Sequence, residues 1–302
     1  MKFRLPFILV CAALLSTVPV SAANRLPFSF GIIFPGTPLQ EAIDESNADN
    51  LAFMVTIGFK PADEPCSDKV YEERKRILDS AQHGMIVSLT ASDWAECRDE
   101  DGKSASAGRL SRLRDLLFSD EFSEGGTRIP VIRQSTILKF RSYAENMRWQ
   151  IGGVMFATIN LPANNNDYVR AAGRNSEFED RLVANRDWLH RLFILAEQKK
   201  VSAIVLFCDG NPLSASSAGS STRDGFAEIR RQINNIAARF PGRILIVHGQ
   251  GGLSRPPGIH WRGKLGEASG TGLARVVVSP NRAELFSIAT EPPLASNRHR
   301  GM

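Results

Sequence analysis

The sequence predicts an α/β protein, and three observations carry that expectation. Short apolar runs alternate with longer amphipathic segments along most of the chain, which is how βα repeats around a buried sheet read in sequence. The amphipathic segments place apolar residues three and four apart, the spacing of one helix face. Neither an internal repeat nor a sharp change of composition divides the 302 residues, so a single large α/β domain is expected.

Strands are expected at 28–34, 51–57, 85–89, 154–159, 203–208 and 244–248. Between them, Phe226, Ile229, Ile233, Ile236 and Phe240 form a single stripe on a helix that Ser221 or Thr222 can cap. Phe178, Leu182, Leu189, Leu192, Phe193 and Ala196 do the same over 175–200, with Trp188 beside the stripe. Leu110, Leu113 and Leu117 mark a shorter helix, and Val70, Ile77 and Leu78 another that begins near Ser67. The stretch 127–146 has no clean period and reads as an irregular excursion with at most one strand. Gly, Pro and Ser crowd 253–272, which reads as loop, followed by strands at 274–278 and 285–289 and a disordered tail over 291–302.

The ends and the charge narrow the function classes. Lys2 and Arg4 precede an apolar run over 5–15 and then Val20-Ser21-Ala22, small residues suited to a signal peptidase, so 1–22 is expected to be a secretory signal peptide and 23–290 the domain. The run is too short to span a bilayer, which takes roughly 20 apolar residues, and no membrane span is expected. Removing the signal takes two of the 37 basic residues and lowers the formal charge of +5 by two, too weak a balance to argue for nucleic acid. Arg109, Arg112 and Arg114 read as a solvated helix face. Of the four cysteines, Cys11 lies in the signal, leaving an odd number that allows one bridge and one spare thiol. Cys208 ends an apolar run, whereas Cys66 and Cys97 lie in polar, loop-like sequence and are the natural pair in an oxidising compartment, periplasmic or extracellular.

Several stretches occur in an order that resembles the exported branch of the calcineurin-like metallophosphoesterases. They are Phe30-Gly31-Ile32-Ile33 followed by Thr37-Pro38, Pro65-Cys66-Ser67-Asp68, Ser92-Asp93-Trp94-Ala95-Glu96-Cys97, the segment 109–118, Glu145-Asn146-Met147-Arg148-Trp149, the segment 154–166 with its run of asparagines, the helix around Trp188-Leu189, and Val247-His248-Gly249. The likeness runs over 30–279. It implies a four-layer α/β/β/α sandwich, two facing mixed sheets covered by helices, with an active site at the strand ends. Active members are expected to hold two metal ions there, which activate a water and clamp the phosphate.

Residue by residue, the resemblance implies that the ligands are lost. The Asp-x-His motif falls on Gly36-Thr37-Pro38, and no Asp, Glu or His occurs from Ile32 to Leu39. The bridging Asp falls in Gly58-Phe59-Lys60, with Asp63 and Glu64 several residues away. The third motif becomes Thr90-Ala91-Ser92-Asp93, where only Asp93 keeps a carboxylate, read as a surface Asp capping a turn. A His position after the strand 154–159 falls on Asn160, and the last motif becomes His248-Gly249-Gln250-Gly251-Gly252, with its ligand positions on Gln250 and Gly252. An amide oxygen substitutes poorly for imidazole or carboxylate. No metal and no cofactor are therefore expected.

The leading expectation is an exported, catalytically silent member of the family that acts as a binding or interaction module. Ser92, Asp93, Asn160, His248 and Gln250 are its candidate cleft residues, and a small neutral polar ligand or a protein its partner. An alternative is an active hydrolase or phosphoesterase with a rebuilt or misaligned site that recruits Asp93, Asp209 and His248. A third is a Cys208 nucleophile beside Asp209 with His248 as base. N-terminal sequencing of the exported protein should find a start near Ala23; recovery of the intact 1–22 segment in a membrane fraction would contradict the export reading.

Overall fold

The computed structural model describes residues 26–169, 175–214, 223–251 and 256–289. The expected signal peptide and tail, Gly252, and the proposed caps Ser221 and Thr222 lie outside the described residues. Among these the chain is α/β, with five α-helices and two mixed sheets. In the first sheet β1 (Phe28–Ile33), β2 (Met54–Ile57) and β3 (Met85–Ser88) run parallel, linked by α1 (Leu39–Ser46) and α2 (Asp68–Asp79), and α3 (Ser106–Leu117) follows β3. Parallel neighbours need such crossovers, since a tight hairpin cannot return the chain to the same end. Two later strands complete the sheet, β11 (Leu273–Val278) antiparallel to β1 and β12 (Phe286–Ile288) antiparallel to β11.

The second sheet is seven strands wide, beginning with β4 (Ile132–Arg133) and β5 (Met147–Ile151) antiparallel on one edge. Its centre is β6 (Val154–Thr158), β7 (Ala203–Cys208) and β8 (Arg243–His248), all parallel, connected by α4 (Ser176–Gln198) and α5 (Ala227–Arg239). On the far edge β10 (Leu265–Ser269) runs parallel to β8, and β9 (Gly258–Arg262) antiparallel to β10.

Burial on both faces explains why the central strands read as unbroken apolar runs. Side chains alternate across a strand, and β7 divides accordingly. Val205 and Phe207 join the core between the sheets, while Ile204 and Leu206 pack with Leu189 and Leu192 of α4 and Ile229 and Ile233 of α5. In the inter-sheet core Phe30 meets Phe156 with ring centroids 5.3 Å apart and Phe207 at 6.1 Å, and Phe53 meets Trp149 at 5.3 Å. Most of these crossings are edge-to-face, an arrangement worth roughly 0.5–1.5 kcal/mol per pair beyond burial.

Three features depart from the sequence reading. The stretch 253–272 is not all loop, because it contains β9 and β10. Gly266 looks like a loop residue, yet a side chain there would meet the ring of Trp261 at 2.6 Å, so the glycine lets the indole of one strand lie over its neighbour. α1 was not expected; it is only 8 residues long and starts directly after Pro38. α5 starts at Ala227, too late for Ser221 or Thr222 to cap, and the Asp224 carboxylate accepts from the Phe226 amide at 2.9 Å. By contrast Ser67 caps α2, its hydroxyl accepting from the Val70 amide at 3.3 Å.

Cys66 and Cys97 stand at disulfide distance, with Cα atoms 5.8 Å apart, and join the start of α2 to the segment after β3, while Cys208 is a buried free thiol. Among the described residues no helix is long and apolar enough to cross a membrane. The bridge closes a loop with a sequence separation of 31. A C66S/C97S variant should lose about 3 kcal/mol in chemical denaturation, and non-reducing peptide mapping of the wild type should recover the two peptides joined.

Candidate functional site

The segments that follow β1, β2, β3 and β8 converge on one cavity of about 660 Å3. Its walls are largely apolar, from residues such as Pro35, Leu39, Ile57 and Pro61. Gly36 and Gly58 turn the chain with φ of 81° and 79°, in the left-handed region that an L side chain resists. At Gly58 a β-carbon would also stand 2.9 Å from Thr90, so this glycine brings the β2 and β3 loops together.

Of the expected cleft residues, Ser92 and Gln250 line the cavity. The Ser92 hydroxyl lies 3.0 Å from that of Thr90. The Gln250 amide oxygen accepts from the Asn211 backbone at 2.7 Å, which fixes its side chain across the mouth of β7. Asp93 caps a turn but is fully buried, contrary to the surface position expected for it. Its carboxylate accepts from the Thr90 amide at 2.8 Å and lies 3.4 Å from the amides of Phe59 and Lys60. Burial raises its pKa above the ordinary range, against those hydrogen bonds.

His248 is buried at the end of β8, with Nε2 donating to Glu267 at 3.1 Å and Nδ1 accepting from the Gln250 amide at 3.2 Å. Burial lowers its pKa, more than Glu267 raises it, so the ring is held neutral with both nitrogens engaged. Asn160 does not line the cavity. It belongs to a buried polar network in which its amide donates to Asn146 at 2.8 Å, its side chain to Glu145 at 3.1 Å, and its carbonyl accepts from Asn185 at 2.8 Å. Glu145 in turn holds Arg114 through hydrogen bonds of 2.8 and 2.6 Å. Arg114 is therefore tied to a buried carboxylate, whereas Arg109 and Arg112 are half-buried and pair with Asp68 and Glu72.

The organising carboxylate is Asp209, at the end of β7. One of its oxygens accepts from the amides of Ala91 and Ala163, both at 2.7 Å, and its backbone carbonyl accepts from Gly249 at 2.9 Å. One residue thus ties three loops, those after β3 and β6 through its side chain and the one after β8 through its backbone carbonyl. Gly249 is required there, since a β-carbon would approach the other carboxylate oxygen to 2.9 Å. The loop carrying Ala163 is itself pinned by Arg181, fully buried, which donates to the Asn160 and Asn166 carbonyls at 3.2 and 2.9 Å. That grip holds Asn165, Asn166 and Asp167 at φ between 52° and 57°, strained for non-glycine residues.

Two cations reach the cavity wall, and the sequence alone did not mark them. Lys60 is buried and donates to the carbonyls of Pro61 at 3.1 Å and Glu64 at 2.8 Å, and burial lowers its pKa. Arg74 pairs with the Glu64 carboxylate. That leaves Glu64 committed, and Asp63 on the cavity wall without a second carboxylate from its own loop. The Cys208 thiol is buried, donates to the Gly210 carbonyl at 3.3 Å, and is pushed far up in pKa by burial and then by Asp209. Among the described residues, no group of three or more His, Cys, Asp or Glu side chains is placed to hold a metal ion. Compared with known proteins, the chain matches no family model and none of the curated proteins.

Burial, with Asp93 adding to it, pushes Asp209 up to about 7 from an ordinary 3.8. A carboxyl whose pKa is raised on folding stabilises the fold below its unfolded pKa, and that contribution disappears as pH rises through the folded one. Wild-type stability should therefore contain a component that falls between about pH 4 and about pH 7. Asp209→Asn should flatten this component in urea titrations across that window; an unchanged pH profile would show that Asp209 is ionised throughout.

Proposed function

We propose that this chain is an exported, metal-free relative of the calcineurin-type metallophosphoesterases whose strand-end cleft binds a ligand and does not turn it over. The observation that carries the reading is the cleft itself. Loops that follow β1, β2, β3 and β8 meet there, and the positions that the resemblance assigns to metal ligands hold Gly36, Pro38, Phe59, Ala91, Asn160, Gln250 and Gly252, of which Asn160 lies off the cavity and Gly252 outside the described residues. Two facing mixed sheets, with α4 and α5 on the outer face of the wider one, supply three of the four layers that the resemblance implies.

The donor chemistry does not fit a pair of divalent ions. Such ions need several carboxylate or imidazole donors at close range; among the described residues Glu41 and Asp63 line the wall, but no three such donors come together, and the other candidates are committed elsewhere. Asp93 caps its own loop, Asp209 ties three loops, and His248 is held between Glu267 and the Gln250 amide. The hydroxyls of Thr90 and Ser92 and the amide of Gln250 instead offer neutral hydrogen-bonding groups against apolar walls, suited to a small polar, uncharged ligand or a segment of a protein.

One observation favours the alternative of a hydrolase with rebuilt chemistry. Asp209 has a pKa near neutrality, the range of a general acid or base, although one of its oxygens already accepts two amides. A single experiment separates the two readings: elemental analysis of dialysed protein, followed by a phosphatase and esterase screen with and without manganese. The expected result is no stoichiometric metal and no hydrolysis above a protein-free control. Metal held near two equivalents with chelator-sensitive turnover, or metal-free turnover abolished in Asp209→Asn, would establish the enzyme instead.

A further inference from the structure

Away from the cleft, the outer face of β4 and β5 meets one flank of α4 in a groove of about 350 Å3. Its walls are aliphatic and aromatic, from Ile132, Ile137, Trp188, Ile194 and Leu195, and Ile132 and Ile194 are 47 % and 41 % exposed. The groove also contains three arginines, and no Asp or Glu lines it. Arg133 spends its guanidinium on the carbonyls of Asp120, Ala144 and Phe122. Arg191 pairs with Asp187 one helical turn away.

Arg148 is different. It is partly buried on β5, and its guanidinium has no hydrogen bond, ion pair or ring contact among the described residues. Burial alone perturbs it, lowering its pKa, with no acidic neighbour to compensate. Taking a cation partly out of water without a counter-charge costs free energy, so an anion supplied from outside would find the site already arranged. A planar guanidinium with its fork unused matches a carboxylate bidentately. The volume is at the small-molecule end of the usual range, below what a helix or a folded partner would fill.

We propose that this groove binds an alkyl carboxylate, with the carboxylate head on Arg148 and a short aliphatic tail along Ile132, Ile137, Ile194 and Leu195. The site is independent of the strand-end cleft and of the reading given to it. No bond is made or broken; the ligand is held by one charge-assisted pair and by burial of its tail.

Octanoate, octanol and octylamine form a matched set of probes for calorimetric titration of the purified protein, with thermal denaturation alongside. Octanoate should bind and raise Tm, octanol should bind more weakly, and octylamine should not bind. Arg148→Gln should weaken octanoate by about tenfold or more, a change of about 1.4 kcal/mol, and leave octanol unchanged. It should not lower the Tm of the free protein, because the guanidinium has no internal partner to lose. Should Arg148→Gln fold poorly, Arg148→Lys keeps the charge without the fork and should bind octanoate with intermediate affinity. Ile194→Asp should weaken octanoate and octanol together. Absence of octanoate binding, equal binding of octylamine, or octanoate affinity indifferent to Arg148→Gln would overturn the proposal, the last placing the ligand in another cavity.

Discussion

The apposition of two sheets through one aromatic layer is the constraint on which the rest of this structure depends. Phe30 and Phe53 from the first sheet interleave with Trp149, Phe156 and Phe207 from the second, with centroid separations from 4.9 to 6.1 Å. Each of these side chains is nearly or fully buried, so the layer excludes water from both inner faces. Parallel strands bring their carboxyl ends to the same edge. The loops that leave β1, β2, β3 and β8 are thereby forced together, and the cleft is a consequence of the packing before it is a site.

Loops so crowded must satisfy many backbone amides without a regular ladder. Buried carboxylates perform this role: Asp93 collects the Thr90 amide, and Asp209 collects those of Ala91 and Ala163. Arg181 and Glu145 do the same for carbonyls and cations behind β6. Such groups are costly to bury and more costly to orphan, which makes the strand ends rigid in arrangement even where their side chains are small. The cleft that results is preorganised. Its cations, Lys60 and Arg74, face carbonyls and Glu64, Glu41 and Asp63 also line its wall, and His248, off the wall at the end of β8, is held neutral.

The structural polar groups of this chain are thus set apart from its open cavity. Charge clamping of a phosphate requires net positive potential aimed into the site, and the polar groups that face this cavity are mostly neutral hydroxyls and amides. A partly buried cation without an acidic partner lies elsewhere among the described residues, at Arg148, beside exposed aliphatic side chains. The two proposed recognition surfaces can coexist on one chain because the inter-sheet core separates the strand ends from the outer face of β4 and β5.

Much of the fold was legible because burial leaves a periodic trace. The run 203–208 coincides with β7, the stripe Ile229, Ile233 and Ile236 is the buried face of α5, and the polar setting of Cys66 and Cys97 marked the pair that stands at disulfide distance. Where the trace was short or interrupted it failed: α1 has too few turns, and β9 and β10 hide among glycines, of which Gly266 lets Trp261 pack. The candidate site was only partly legible. That Ser92 and Gln250 face one cavity and Asn160 does not, that Asp93 is buried, and that Asp209 binds residues 46 and 118 positions away, are facts of three-dimensional proximity. Local sequence determines which segments are helix or strand, because propensity and periodicity act over a few residues. Which side chains share a site, and which charges find partners, was decided only when sheet packing brought distant strand ends together.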